Sequence, residues 1–106
     1  MSQDIVVAYC TCPDEDTGAR IAAELLDRRL AACVNLLPGV RSFYRWEGRV
    51  ENDPEVLLLI KTAADAMPAL GRAVDELHPY DVPELIACPV QDGLPDYLQW
   101  VREETA

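Results

Sequence analysis

Basic side chains are scarce in this chain. Nine Lys and Arg stand against nineteen Asp and Glu, with one His, for a formal net charge of -10. So few cations cannot assemble a basic patch, which argues against nucleic acid and anionic membranes as main partners. The same imbalance suits cations as ligands, although an acidic surface first of all keeps a protein in solution. Long apolar runs are missing too. The first, Ile5 to Ala8, is short, and no window approaches the roughly 20 apolar residues of a membrane helix. The opening MSQDIVVAYC carries an acid where a secretory signal carries a base, so a cytoplasmic location is expected.

Catalytic motifs are also lacking. The lone His78 precludes a two-histidine relay, and GxSxG, HExxH and P-loop patterns do not occur. Gly39 and Gly48 read as bends, and Asp14, Glu15 and Asp16 as a solvated helix start. The expectation is a protein that is not an enzyme and needs no organic cofactor. The four cysteines form no CxxC, which removes zinc-finger and thioredoxin-type readings. In a reducing compartment all four are thiols. Cys33 and Cys88 lie in apolar strand patterns and read as small core residues, whereas Cys10 and Cys12, at a strand end, read as reachable.

What is present is a core. Half of the 106 residues are hydrophobic, enough for one domain spanning 1–106. Ile5 to Tyr9 reads as a short strand. Thr11 and the run Pro13-Asp14-Glu15-Asp16 then signal a helix over about Pro13 to Arg29, with a hydroxyl cap, acids at its start and Arg28 and Arg29 at its end. A long hairpin follows, bent at Pro38-Gly39, turning at Glu47-Gly48 and open to interruption at Asp53-Pro54. A second helix spans about Asp65 to Leu77, with Met67, Leu70, Val74 and Leu77 as its buried stripe. A strand over Glu84 to Val90 and a last helix over Pro95 to Arg102, facing in through Leu94, Leu98 and Val101, complete the chain.

This β-α-β-β-α-β order with a terminal helix predicts an α+β, ferredoxin-like sandwich with both main helices on one sheet face. The other face should be wet and polar. Yet Ile5 to Ala8 and Val56 to Ile60 are apolar at odd and even positions alike, so both faces call for burial. At roughly 25 cal/mol per Å², leaving several Leu and Ile wet costs several kcal/mol. The hairpin, at roughly 3.3 Å per residue, reaches about 25–30 Å past the sheet. An isolated ribbon of that length is marginal in water. Self-association is therefore expected, with hairpin edges paired to neighbouring protomers.

The stretches ACVNLLPGVRSFYRWEGRVE (31–51), LLLIKT (57–62), HPYDVPEL (78–85) and Asp96-Tyr97-Leu98-Gln99-Trp100 resemble the CutA family of divalent-cation tolerance proteins. The resemblance implies a ferredoxin-like homotrimer, related in architecture to PII-type signalling proteins, and a cytoplasmic role in tolerance to copper and other divalent metals. It also implies a metal-ligand role for Cys10, which matches a cysteine some members carry at the end of the first strand. Cys12, two residues on, offers a second sulfur, and thiolates are soft donors suited to copper or zinc. His78 has two readings, a neutral imidazole ligand or a cation complementing a helix end. Where the family's proposed copper sites draw a cysteine and a histidine from the second helix, this chain has Ala73 and Leu77. Tyr44, Trp46, Lys61, Glu84, Tyr97 and Trp100 fall in the matching motifs and suit either an inter-subunit cleft for a small ligand or interface packing. Lys61 and Glu84 adjoin apolar strands and need partners, each other included. Three functions follow: weak copper binding by a trimer, a PII-like module with a small effector in its clefts, or an assembly scaffold with incidental metal binding.

Overall fold

The computed structural model describes residues 4–106. Met1–Gln3, which belong to the 1–106 domain reading and to the signal-peptide argument, lie outside the described residues. The first strand, β1, runs Ile5–Cys12, three residues past Tyr9. It is central in a four-stranded antiparallel sheet ordered β2-β3-β1-β4, where β2 is Cys33–Trp46, β3 Arg49–Ala63 and β4 Ile86–Pro89. Helix α1 (Glu15–Asp27) links β1 to β2, and α2 (Met67–Leu77), led in by a 3-10 turn at Ala64–Ala66, links β3 to β4. Helix α3 (Pro95–Glu104) closes the chain.

The alternation of β1 sorts its side chains. Ala8, Cys10 and Cys12 join Val56, Leu58 and Ile60 of β3 beneath Ile21 and Leu25 of α1 and Leu70 and Val74 of α2. This is the main core, and Met67 and Leu77 pack at its edge as the helical stripe requires. The odd positions face the other way. There Ile5 is covered by Val101 and Leu98 of α3, while Leu37 and Ile86 remain 39% and 59% exposed. Leu94 does not face in: it precedes α3 as its cap residue and is largely exposed.

Several sequence expectations shift. Asp14, not Thr11, caps α1, its Oδ1 accepting from the Thr17 N–H at 2.8 Å. Thr11 remains in the strand because β1 stays paired with β3 as far as Cys12. Arg28 closes α1, and Arg29, at φ 59°, lies beyond it and donates to the Glu103 carbonyl at the end of α3. The cysteine assignment is reversed. Cys10 and Cys12 are fully buried because the longer strand aims them at the helices, whereas Cys33 is half-buried and Cys88 exposed. Strand β4 is shorter than predicted because it pairs with β1 only from Val6 to Tyr9.

The hairpin forms as read. Glu47 and Gly48 both have positive φ, 50° and 80°, the two-residue turn that matches strand twist. The ladder shifts register between Leu37 and Val40, with Gly39 at φ 81°, so Pro38-Gly39 is a bulge. Asp53-Pro54 does not interrupt β3. A two-residue loop makes Trp46 and Arg49 a hydrogen-bonded pair, and alternation down the ladder makes Arg41 and Pro54 a non-hydrogen-bonded one. The Pro54 nitrogen therefore faces away from β2. Pairing of β3 with β1 begins only at Val56, so this edge is open in the chain. The arm stretches the molecule to 44 Å against 25 and 22 Å in the other directions.

Candidate functional site

Two sites emerge where β1 meets the end of α2. In the first, Cys10 and Cys12 project from β1 to the helix side, and His78 reaches them from the end of α2. The His78 N–H still bonds the Val74 carbonyl at 2.9 Å, but its ψ of 138° leaves the helix, and Pro79 prevents resumption. The side chain turns inward and is only 7% exposed. One ligand atom from each of Cys10, Cys12 and His78 lies within 4.8 Å of the others. The sequence left open whether these residues meet. They do, and where a helix-end cation was the other reading of His78, the structure has a buried ring with two bonds. One nitrogen, Nε2, lies 2.8 Å from the Thr11 carbonyl, and Nδ1 lies 3.1 Å from the Tyr80 amide.

Those partners assign the ring's tautomer. A carbonyl only accepts, so Nε2 carries the proton, and a backbone N–H only donates, so Nδ1 holds the lone pair. The thiols constrain one another as well. The Cys10 thiol is pushed well above its ordinary range, first by hydrogen bonding with Cys12, then by burial and by the charges of Cys12, Glu84 and Glu55. The pair gives up one proton more readily than two. Two sulfurs and an imidazole are the soft and borderline donors that copper and zinc favour, so the donor chemistry fits such a cation. Binding would cost the thiols their protons and His78 at least one of its two bonds. The second helix adds no donor at Ala73, buried in the core, or at Leu77, packed at its edge.

The second site is a cleft of about 540 Å³ between the hairpin arm and residues 80–84. Phe43, Tyr44, Trp46 and Tyr80 supply aromatic walls, and Glu55, Asp81 and Glu84 supply carboxylates. No Lys or Arg is among the described residues that line it. Glu55 is 8% exposed and accepts from the Tyr80 hydroxyl at 2.6 Å. Burial, then that bond, pushes the Tyr80 phenol above its ordinary value. The Tyr44 hydroxyl donates to Asp53 at 2.6 Å, which, with lesser help from burial and nearby acids, raises its pKa to about 12.

The six residues expected at a cleft therefore separate. Tyr44, Trp46 and Glu84 meet there. Lys61 bonds Asn35 farther along the same sheet face, while Tyr97 pairs with Trp100 along α3, ring centroids 5.6 Å apart, beside Cys33. Lys61 and Glu84 do not satisfy each other, because Glu84 accepts from the Thr11 hydroxyl at 3.2 Å. Sequence reading missed Thr11, Glu55 and Tyr80. The available signal was Glu55, a carboxylate directly before an apolar strand run, which needs a partner when buried.

The family model for the CutA1 divalent ion tolerance protein matches residues 6–104. The divalent-cation tolerance protein CutA of Thermus thermophilus is 50% identical over 99 residues, covering 93% of this chain and 96% of that protein. Protein CutA of Mus musculus is 48% identical over 101 residues, 95% of this chain and 57% of the mouse protein. The chain thus spans little more than half the length of the mouse relative and of its human counterpart. The solved CutA1 from Oryza sativa superposes with a TM-score of 0.96 at 43% identity, covering 99% of this chain and 96% of that one. The Cut A1 structure from Thermus thermophilus gives 0.94 at 48%, covering 96% and 99%.

Proposed function

The chain belongs to the CutA1 divalent ion tolerance family, and from that premise we propose that it serves divalent-cation tolerance as a cytoplasmic homotrimer that holds copper, or another soft cation, weakly and catalyses no reaction. The observation that carries this reading is the convergence of Cys10, Cys12 and His78 to within 4.8 Å. A bound cation would supply charge and coordination there and nothing redox is required of it. Cys10 and Cys12 would bind it as thiolates, and His78 through a ring nitrogen. Weakness follows from the protonated Cys10 and from the two existing bonds of His78. Anaerobic calorimetric titration with Cu(I) and Zn²⁺ tests it. Wild type should bind, and Cys10→Ser and Cys12→Ser should each weaken binding at least tenfold. No heat of binding for either metal in wild type refutes the reading.

The fold supports the assembly. Its β2-β3-β1-β4 order with two helical crossovers on one face suits a ferredoxin-like sandwich. Exposed Leu37 and Ile86 on the other face, and Phe43 and Val50 on the arm at 67% and 68% exposure, favour a trimer that covers them. A stable monomer in sedimentation would count decisively against it. Among the described residues no helix is long and apolar enough to cross a membrane. The cytoplasmic assignment rests on the sequence pattern. The rice relative is named chloroplastic and the Archaeoglobus fulgidus structure periplasmic, so cell fractionation is its test.

The cleft favours a second reading, a PII-like module that binds a small effector. Aromatic walls and carboxylates, with no Lys or Arg among the described lining residues, suit an organic cation better than an organic acid. A thermal-shift screen should give stabilisation by amines and guanidinium compounds. Stabilisation only by organic acids or nucleotides contradicts the cleft chemistry. A protein inert to metals and effectors alike would be an assembly scaffold.

A further inference from the structure

We propose that His78 is a latch between the two sites, so that capture of a cation by Cys10, Cys12 and His78 releases the Tyr80 wall of the cleft. The proposal rests on the metal-binding reading above and specifies how that site is regulated. A neutral imidazole has one lone pair and one N–H. Both are in use: Nδ1 accepts from the Tyr80 amide at 3.1 Å, and Nε2–H donates to the Thr11 carbonyl at 2.8 Å.

A cation bound at Nδ1 takes the lone pair that Tyr80 now uses. A cation bound at Nε2 requires that nitrogen to give up its proton. The ring stays neutral by carrying the proton on Nδ1, which then confronts the Tyr80 N–H donor with another donor. In the first case one hydrogen bond is lost, in the second both. His78 releases no net proton either way; the protons released come from the thiols. Whichever nitrogen is used, the Tyr80 amide loses its acceptor.

Tyr80 does not end at its amide. Its ring packs on His78 with centroids 4.6 Å apart, and its hydroxyl holds the buried Glu55 carboxylate at 2.6 Å. Thr11, the other partner of His78, donates its hydroxyl to Glu84 at 3.2 Å. Both residues that hold the imidazole are also walls of the cleft. One side chain therefore has two arrangements, one with Tyr80 held and one with the cation held. Linkage makes the effect reciprocal: whatever fixes Tyr80 against Glu55 weakens cation capture by the same factor that the cation weakens the wall.

The test uses Cd²⁺ as a diamagnetic probe with the full chain under reducing, anaerobic conditions. Capture is followed by the thiolate-to-metal charge-transfer band, and release by NMR-detected exchange of the Tyr80 amide. Saturating Cd²⁺ should speed that exchange by about fivefold or more, the lower range of measured couplings, while the Leu58 amide in the core is not accelerated. Tyr80→Phe, which keeps the amide and the ring but frees Glu55, should bind Cd²⁺ more tightly. A charge-transfer band with an unchanged or slower Tyr80 amide overturns the latch and leaves the metal reading intact, with the sulfurs alone holding the ion. No charge-transfer band overturns both.

Discussion

Removing one oxygen at position 80 tests how the cleft wall is held. In Tyr80→Phe the ring keeps its place against His78, but Glu55, 8% exposed, loses the hydroxyl that donates to it at 2.6 Å. A hydrogen bond to a charged group contributes about 1.5–3 kcal/mol, and leaving a buried acceptor unmade costs its desolvation. Tyr80 itself is 37% exposed, so water can partly replace the lost hydroxyl, and the lower end, about 1.5 kcal/mol, is expected. Urea unfolding at a fixed protein concentration reads this as a midpoint shift of about 0.5–1.5 M for a slope of about 1–3 kcal/mol/M. The phenol also titrates. Its pKa is raised in the folded state, so unfolded chains ionise first, and the stabilisation is lost as pH rises from about 10 through the folded value. The difference between wild type and Tyr80→Phe should therefore narrow in alkali. Glu55→Gln in a double-mutant cycle with Tyr80→Phe should show coupling. A Tyr80→Phe protein within about 0.3 kcal/mol of wild type, with additive behaviour in the cycle, would refute the reasoning.

Three more outcomes follow from named contacts. Asp14→Ala should lower the melting temperature, because the α1 cap is lost; the Asp14 carboxyl is held below its ordinary 3.8 by the Thr17 bonds, so the deficit is full above that value and disappears in acid as pH falls through the folded pKa, as melting curves from pH 7 to 2 should show. Gly18→Leu should destabilise by about 1–3 kcal/mol in chemical denaturation, since even a Cβ at Gly18 would lie 3.1 Å from both Leu36 and Val56 side chains. Ile86→Lys places a charge on the exposed apolar sheet face, and sedimentation should register smaller species whose circular dichroism remains native.

Much of the fold was legible because local signals agreed. The helical stripe from Met67 to Leu77, the Glu47-Gly48 turn and the Pro38-Gly39 bulge each combine periodicity with turn chemistry, and each formed as read. Where one signal stood alone the reading slipped. Thr11 resembled a cap, but pairing with Leu57 kept it in the strand, and that extension carried Cys10 and Cys12 into the core. Metal candidates were visible as residue types. Their convergence was not, because 67 positions separate Thr11 from His78, and only the α2 crossover brings them together. The cleft was half visible for the same reason: Tyr44 and Trp46 lie in one aromatic-rich run, while Tyr80 reaches Glu55 from a separate loop.

Pro54 sets a limit on how the arm can grow. Outward-facing donors on this edge come from the non-hydrogen-bonded positions, which the ladder places at Val50, Asn52 and Pro54. The first two present an N–H, and the third presents a ring carbon. A strand docking along the tip finds a short run of donors and then a gap before the body of the sheet. The edge thus accepts a brief, length-limited match and resists open-ended strand addition, which in the proposed trimer would let a long ribbon pair with its neighbour without seeding a fibre.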